Sequence, residues 1–154
     1  MPSLDALDLR LLMLARTRGH GPRRERTIAA YSRLGEHAAC WLALGAVGAA
    51  VVAGSYAANY AVKLIVRRPR PKLEGLPPLS PVVSALSFPS AHATTSFAAA
   101  RIYRGLVPTS MLYAAAGAFA LSRPYLGVHY PSDVLAGSLL GSAVAVAVSG
   151  RGPR

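Results

Sequence analysis

The stretch LSRPYLGVHYPSD, residues 121–133, decides the fold because it is a short polar connection between two apolar segments. The 18 residues 105–122, which extend into its first two positions, have no formal charge, and after it lie 17 more such residues, 134–150. An earlier run, 38–62, has 25 such residues. Roughly 20 apolar residues cross a bilayer as a helix, with about 17 as the lower limit. The three runs therefore predict membrane-spanning helices joined by polar loops.

The composition agrees with this prediction. The 154 residues are 53% hydrophobic and only 15% charged, with a mean hydropathy of +0.35, whereas a soluble domain has about a quarter charged residues. A soluble protein with buried helices is the alternative, but so small a domain cannot cover three such helices on all sides. We predict an all-α fold, an integral membrane bundle of about four to five transmembrane helices, in one domain over residues 1–154.

The basic residues surround the apolar runs. The formal net charge is +11, but the Lys and Arg residues form no stripe on a soluble face, so nucleic-acid binding is disfavoured. Basic residues beside membrane spans are explained by topology and by anionic headgroups, and the predicted partner is the lipid bilayer. The single cysteine, Cys40, lies inside an apolar run and provides neither a disulfide framework nor a cysteine metal site.

The segment 1–26 is predicted to begin with an amphipathic helix over residues 3–17, because leucines recur there at helical spacing. This helix either lies in the membrane interface or packs on a protein core. A second helix is expected to start near Thr27. Residues 38–66 make one long helix, or two full spans only if the helix starts earlier, near Ile28, and turns at Gly54-Ser55. The later helices are expected to start at Pro89-Ser90, to cover 109–122, and to start after Pro131 with Ser132 as the cap. In the last helix Gly137 and Gly141 form a small-xxx-small pair suited to close helix contact.

The polar residues that suggest chemistry lie in three short stretches, each at the end of an apolar helix. The stretches are Lys63 to Arg70-Pro71, then Pro89-Ser90-Ala91-His92, then Arg123 to His129 and Asp133. Lysine and arginine supply permanent positive charges, and guanidinium groups match phosphate oxygens bidentately. A serine hydroxyl and a helix N-terminus add hydrogen-bond donors for an anion. Together these groups predict a phosphate site that requires no metal.

Two histidines provide the titratable groups. His129 and Asp133 are four residues apart, and an aspartate at that spacing can fix the imidazole tautomer and make the other ring nitrogen a better nucleophile. His92 can then protonate the leaving oxygen. Two histidines with separate roles beside three cations predict phosphoryl transfer through a phosphohistidine.

The three motifs Lys-x6-Arg-Pro, Pro-Ser-x-His and Ser-Arg-x5-His-x3-Asp resemble the signature of the type 2 phosphatidic acid phosphatase superfamily, which shares its site with the vanadium haloperoxidases. All three occur in order across residues 63–133. The resemblance implies a metal-independent lipid phosphatase without a cofactor. It also implies His129 as the nucleophile, Asp133 as its orienting partner and His92 as the general acid. The implied phosphate-binding residues are Lys63, Arg70, Ser90, Ala91 and Arg123.

One position departs from the family pattern, because Ala91 stands where glycine is usual. A methyl group there is a cost if the backbone needs a positive φ or a close approach to phosphate, and it is harmless in the first turn of a helix. Other polar residues have two interpretations. His37 is interpreted as a packed helix residue, or with Glu36 as a second headgroup contact, and His20 as a solvated loop residue. The basic residues Arg67, Arg68 and Lys72 either steer an anion or anchor a helix end.

The substrate is predicted to be a membrane lipid phosphate, since a soluble phosphatase needs no spans. By analogy within the family, polyprenyl-linked substrates such as polyprenyl diphosphate or decaprenylphosphoryl-5-phosphoribose rank above phosphatidylglycerophosphate and phosphatidate. The expected location is a bacterial cytoplasmic membrane, crossed several times. The alternatives are a non-catalytic lipid-phosphate binder or transporter and a vanadate-dependent haloperoxidase. One span before Lys63 would put the N-terminus and the site on opposite faces, and two spans would put them on the same face.

Overall fold

The computed structural model describes residues 3–34 and 46–149. Within these ranges the chain forms α-helices and isolated bridges but no strands, which confirms the all-α prediction. By length and composition, two helical segments, Gly48–Val66 and Pro131–Ser149, are able to cross a membrane. The helices of the described residues are α1 Leu4–Thr17, α2 Pro22–Leu34, α3 Ala46–Val66, α4 Ala91–Ile102, α5 Thr109–Tyr125 and α6 Pro131–Ser149.

Helix α4 lies at the centre of the bundle and packs on α3, α5 and α6. Its alanines Ala93 and Ala98 are fully buried, and small side chains there let the neighbouring helices approach closely. A Cβ added at Gly141 of α6 would lie 1.9 Å from the Thr94 carbonyl oxygen. The close contact predicted for the glycine pair is therefore confirmed, and it fixes the start of α4 against the first turns of α6.

The direction of α3 shows which parts of the chain share an end of the bundle. A Cβ at Gly48 would touch the Tyr103 ring at the end of α4. Lys63 lies 15 residues further on, about 22 Å along the helix axis, and its Nζ is 3.0 Å from the Pro89 carbonyl oxygen before α4. Ser32 of α2 contacts the start of α4 as well. The N-terminal helices α1 and α2 therefore lie at the Lys63 end of the bundle.

Helix α1 has the reverse of the side-chain distribution of a soluble amphipathic helix. Ser3 caps it by accepting a hydrogen bond from the Ala6 N–H at 3.2 Å. Its buried side chains are Asp8, Leu12 and Arg16, while its other leucines, such as Leu4 at 70% exposure, face outward. Arg16 donates to the carbonyl oxygens of Pro77 and Tyr125. The polar face of α1 thus packs on the loops at the Lys63 end.

Two predicted boundaries were wrong, and one of two alternatives is excluded. Helix α2 begins at Pro22 rather than near Thr27. Helix α3 runs without a turn through Gly54 and Ser55, which agrees with the single-helix alternative over the described part of the 38–66 run. Helix α5 continues past residue 122 to Tyr125, because the guanidinium of Arg123 is buried in the bundle and does not require the helix to end.

Two interpretations of single residues were also wrong. Ser132 lies inside α6, and its hydroxyl donates to the Asp8 carboxylate instead of capping the helix. His20 is not a solvated loop residue, since its ring stacks on Tyr125 at 4.1 Å and contacts the Glu25 carboxylate at 3.0 Å. The predictions for Glu36-His37 and for the first part of the 38–66 run lie outside the described residues.

Candidate active site

The loop of residues 67–90 covers the Lys63 end of the bundle and positions the first motif. The Ser87 N–H donates to the Arg68 carbonyl at 2.8 Å, and the Arg70 N–H donates to the Ala85 carbonyl at 3.2 Å. The Arg70 Nε also donates to the Ser84 carbonyl at 2.6 Å. These bonds fold the loop back on itself and hold the Arg70 side chain toward the start of α6.

A cavity under this loop brings the three motifs together. Its walls are formed by the second half of α3, the first turns of α4, the end of α5 and loop residues 81–84. Six of the eight residues predicted for the site line it, namely Lys63, Arg70, Ala91, His92, Arg123 and His129. Asp133 lies behind His129, and Ser90 lies at the start of α4 outside the lining.

His129 is buried between a cation and a carboxylate. Its Nε2 lies 3.1 Å from Arg70 Nη1, and its Nδ1 lies 3.4 Å from Asp133 Oδ2, which is longer than a normal hydrogen bond. The Asp133 carboxylate is fully buried, and its Oδ2 also accepts from the Tyr130 N–H at 2.9 Å. The structure thus places Asp133 beside the nitrogen of His129 that faces away from the cavity.

The protonation state of His129 follows from this environment. Burial is the main cause that lowers the pKa of His129 to about 4, and the positive charges of Arg70 and Arg123 act in the same direction against the opposing effect of Asp133. The ring is therefore neutral at neutral pH. A proton on Nδ1, toward Asp133, leaves the lone pair on Nε2, which faces the cavity; this tautomer is assigned from the hydrogen-bonding groups.

The other cations of the site are held by backbone and hydroxyl oxygens. Lys63 is 5% exposed, and its Nζ donates to the carbonyl oxygens of Leu86 at 3.1 Å and Pro89 at 3.0 Å. Arg123 is 4% exposed and donates through Nη1 to the Ser32 hydroxyl. Both side chains line the cavity, so their positive charges lie where an anion would bind.

Ser90 is the N-cap residue of α4, and Ala91 is the first residue of the helix. Ser90 is fully buried, and its Oγ has no hydrogen-bond partner within the described ranges. Ala91 has no positive φ, since Arg67 is the one non-glycine residue of the described part that has one. Alanine at this position is therefore the first residue of an ordinary helix, and the methyl group causes no backbone strain.

Helix α2 contributes a residue to the site that the sequence analysis did not identify. The backbone oxygen of Ser32 lies 3.1 Å from His92 Nε2, and the Ser32 hydroxyl accepts from Arg123. A single residue outside the motifs thus contacts the predicted general acid and a predicted phosphate ligand. A serine in an unremarkable helix has no sequence signal for this role.

Arg68 pairs with two buried carboxylates. Its Nη1 donates to Asp133 Oδ1 at 2.9 Å, and its Nη2 pairs with Asp8 Oδ2 at 2.9 Å. Its guanidinium also lies 4.0 Å from the centre of the Tyr130 ring. Arg67 and Lys72 are exposed. Within residues 3–34 and 46–149, no group of three or more His, Cys, Asp or Glu side chains is arranged to hold a metal ion.

Comparison with known sequences gives a match to one family and relatives that share one name. The sequence model of the family described as "PAP2 superfamily" matches residues 39–151. Decaprenylphosphoryl-5-phosphoribose phosphatase of Mycolicibacterium smegmatis is 41% identical over 122 residues, which cover 70% of this chain and 68% of that protein. The Mycobacterium tuberculosis protein of the same name is 37% identical over 135 residues, with coverages of 79% and 76%.

Comparison with solved structures shows the same fold in two proteins. The transmembrane PAP2-type phosphatidylglycerolphosphate phosphatase of Bacillus subtilis aligns with a TM-score of 0.77 and 23% identity, covering 97% of this chain and 86% of that one. LpxE of Aquifex aeolicus aligns with a TM-score of 0.71 and 22% identity, covering 92% and 94%. At sequence identities of 22% and 23%, the similarity shows a shared fold.

Proposed function

This chain belongs to the PAP2 superfamily and is a membrane lipid phosphatase, and we propose that it removes the phosphate of a polyprenyl-linked phosphosugar through a phosphohistidine intermediate on His129. The observation that supports this proposal most directly is the contact between Arg70 Nη1 and His129 Nε2, at 3.1 Å. A neutral imidazole nitrogen faces a guanidinium in a cavity that Lys63, Arg123 and His92 also line. A phosphoryl group bound there contacts the nucleophile and three cations together.

In the first step, Nε2 of His129 attacks phosphorus and forms an N–P bond while the bond between phosphorus and the sugar oxygen breaks. Asp133 keeps the proton on Nδ1 and stabilises the positive charge that develops on the ring. His92 is assigned as the general acid that donates a proton to the leaving oxygen. Lys63, Arg70 and Arg123 stabilise the charge on the equatorial oxygens, with the Ser90 hydroxyl as a further donor.

In the second step, water attacks the phosphorus of the phosphohistidine and the N–P bond breaks. The neutral His92 accepts a proton from that water. Inorganic phosphate leaves, and His129 returns to its neutral form. One water is consumed in each cycle, and no redox change occurs.

The substrate class is proposed from the named relatives and from the cavity wall. Decaprenylphosphoryl-5-phosphoribose phosphatases are 37–41% identical to this chain, so we rank that lipid first, above polyprenyl diphosphate, phosphatidylglycerophosphate and phosphatidate. The wall includes Tyr60, which is 49% exposed, and Val83, which is 84% exposed. Such side chains suit contact with lipid while the terminal phosphate monoester of the sugar reaches the cations.

The placement in the membrane belongs to the same proposal. Residues 1–154 form one domain that crosses the cell membrane about four to five times, with α3 and α6 as two of the spans. Helix α1 lies in the interface, since its outward face has Leu4 at 70%, Leu7 at 46% and Leu14 at 46% exposure, and such a face inserts among acyl chains.

The charge distribution supports a cytoplasmic site. Twelve of the 17 Lys and Arg residues precede residue 73, in the parts of the chain that surround the site or lead to α3. The short loop at the opposite end has Arg101 and Arg104. Basic residues are enriched on the cytoplasmic side of short loops, and the excess persists when Lys63, Arg68 and Arg70 are discounted as binding or ion-pairing groups.

The test is a phosphate-release panel with the purified full-length chain in detergent. We expect the fastest release from decaprenylphosphoryl-5-phosphoribose, less from the other lipid phosphates, no effect of a chelator, and no release by His129→Ala. The matched control is His20→Ala, which removes a histidine outside the cavity and leaves catalysis intact. Full activity in His129→Ala would exclude the phosphohistidine, and faster release from phosphatidate would exclude the substrate ranking.

A further inference from the structure

The buried carboxylate of Asp8 connects α1 to Arg68 and Ser132, which lie beside the carboxylate of Asp133. The Asp8 side chain is 4% exposed, although it belongs to a helix whose leucines face outward. Oδ1 accepts from the Ser132 N–H at 3.0 Å, and Oδ2 accepts from Arg68 Nη2 at 2.9 Å and from the Ser132 hydroxyl. A buried carboxylate is costly unless such donors satisfy it, so these contacts determine where α1 docks.

Arg68 connects this carboxylate to the one beside His129. One guanidinium nitrogen pairs with Asp8 and the other with Asp133 Oδ1, both at 2.9 Å. The Nη1 of Arg68 also donates to the Ser132 hydroxyl at 2.7 Å. Both Nη atoms of the guanidinium are thereby held.

The two oxygens of Asp133 have different partners. Oδ1 faces Arg68, whereas Oδ2 faces His129 Nδ1 at 3.4 Å and the Tyr130 N–H at 2.9 Å. The direction of Arg68 therefore sets the rotation of the carboxylate and the position of Oδ2 against the imidazole. If Asp8 is removed, Arg68 loses one anchor and its full charge acts on Asp133.

We propose that Asp8 is a positioning residue for the phosphatase reaction, acting through Arg68 on Asp133 and so on the orientation of His129. The inference rests on the proposed function, because it assigns a role only if His129 is the nucleophile. Asp8 touches neither the cavity nor a group proposed to bind phosphate. Its effect is expected on the chemical step, since substrate binding depends on Lys63, Arg70 and Arg123.

The first test compares Asp8→Asn with Asp5→Asn in steady-state phosphate release. Asp5 lies on the same helix and 3.5 Å from Arg68, but its side chain is 90% exposed, so solvent screens its charge. We expect Asp8→Asn to lower kcat by about tenfold to a hundredfold, as small misplacements of catalytic groups do, with KM within about twofold. Asp5→Asn is expected to match the unmodified chain.

The second test separates positioning from general loss of structure. In an Asp133→Asn background, adding Asp8→Asn is expected to lower the residual kcat little further, because residues that act through one another are not additive. The same loss in both backgrounds, or a change confined to KM, would overturn the proposal.

If the Asp8→Asn variant does not fold, Arg68→Lys is tested in its place, since lysine keeps the charge but cannot pair with both carboxylates. An unchanged kcat in Arg68→Lys would equally overturn the proposal.

The outcome for the unmodified chain distinguishes this inference from the function on which it rests. An unmodified chain that releases no phosphate from any lipid of the panel contradicts the proposed function. An active chain in which Asp8→Asn and Asp5→Asn have equal kcat contradicts the positioning role alone.

Discussion

Arg70 and His129 are in direct contact, with Nη1 3.1 Å from Nε2, so the nitrogen proposed to attack phosphorus faces the cation proposed to bind the phosphate. Arg70 is fixed in this position by the carbonyl oxygens of Ser84 and Val128, at 2.6 Å and 2.7 Å. Because Ser84 belongs to the loop 67–90, the Arg70 side chain also holds that loop over the cavity. Its replacement should affect charge stabilisation and geometry together.

The Arg70→Ala variant is therefore expected to lower kcat by about a hundredfold to a thousandfold, the usual effect of removing one donor from a site that stabilises developing charge. Arg70→Lys should retain part of the activity, because it keeps the charge without the bidentate fork. Steady-state phosphate release measures both variants. Lys72→Ala, which removes an exposed cation two residues away, is the control and should match the unmodified chain. Equal losses for Arg70→Ala and Lys72→Ala would contradict the role of Arg70.

Vanadate should inhibit the enzyme competitively, since it adopts the five-coordinate geometry of a phosphoryl group under attack and enzymes bind such forms more tightly than substrate. Inhibition constants against the lipid substrate provide the measurement. Arg123→Ala should weaken inhibition at least as much as it weakens substrate binding, because the guanidinium is needed most when charge develops on the equatorial oxygens. Insensitivity to vanadate together with full turnover would count against a covalent step at His129.

Most residues that line the cavity were predictable from sequence, but the residues that contact them from α1 and α2 were not. His92, Arg123 and His129 are distinctive residue types at the ends of apolar segments, where a charge is expensive unless it has a function. Ser32 and Asp8 are ordinary members of polar helices, and their contacts span 60 and 124 residues of chain. No local periodicity encodes contacts that depend on how distant helices pack. The end of α5 was misplaced for a related reason, since the partner that buries Arg123 lies 91 residues away.

The lowered pKa of His129 predicts how stability depends on pH. In the unfolded chain a histidine takes up its proton near pH 6.5, whereas burial keeps His129 neutral down to about pH 4 in the folded protein. Between these values the unfolded state binds more protons, so the free energy of unfolding decreases as the pH falls. The contribution is absent above about pH 6.5 and reaches about 3 kcal/mol near pH 4.

Thermal unfolding in detergent between pH 8 and pH 4 tests this prediction. His129→Gln removes the titrating group, so its Tm should fall less steeply than that of the unmodified chain below about pH 6.5. The comparison isolates one group, because every other titrating residue is present in both proteins. Parallel curves over the whole range would show that His129 is not held neutral by burial.

The contact between α4 and α6 predicts opposite effects for two glycine substitutions. A Cβ at Gly141 would lie 1.9 Å from the Thr94 carbonyl oxygen, whereas a Cβ at Gly117 of α5 would meet no atom within 4 Å. Gly141→Ala should cost about 1–3 kcal/mol or more, since the two helices must move apart. Gly117→Ala should leave the stability unchanged or raise it by up to about 1 kcal/mol.

The measurement is again the Tm in detergent, with phosphate release as a second readout. Separation of α4 from α6 also moves Ser90 away from Asp133, whose carbonyl oxygen accepts from the Ser90 N–H at 2.9 Å. Gly141→Ala should therefore lower kcat as well as Tm, whereas Gly117→Ala should lower neither of them. Equal Tm values for the two variants would contradict the helix contact.

The position of α1 at the same end as the cavity predicts a labelling pattern in intact cells. In a Cys40→Ser background, single cysteines replace Thr17 at the end of α1 and Leu106 in the loop after α4; both positions are exposed, and neither change removes a basic residue. If the site faces the cytoplasm, a membrane-impermeant maleimide labels the cysteine at position 106 in intact cells and the one at position 17 only after permeabilisation. The reverse pattern would place the site on the outer face, and labelling of both positions in intact cells would contradict their location at opposite ends of the bundle. The cause of the orientation is tested separately. Because the charge bias of the chain sets orientation, replacing Arg23, Arg24 and Arg26 with glutamine should increase the fraction of chains labelled at position 17 in intact cells.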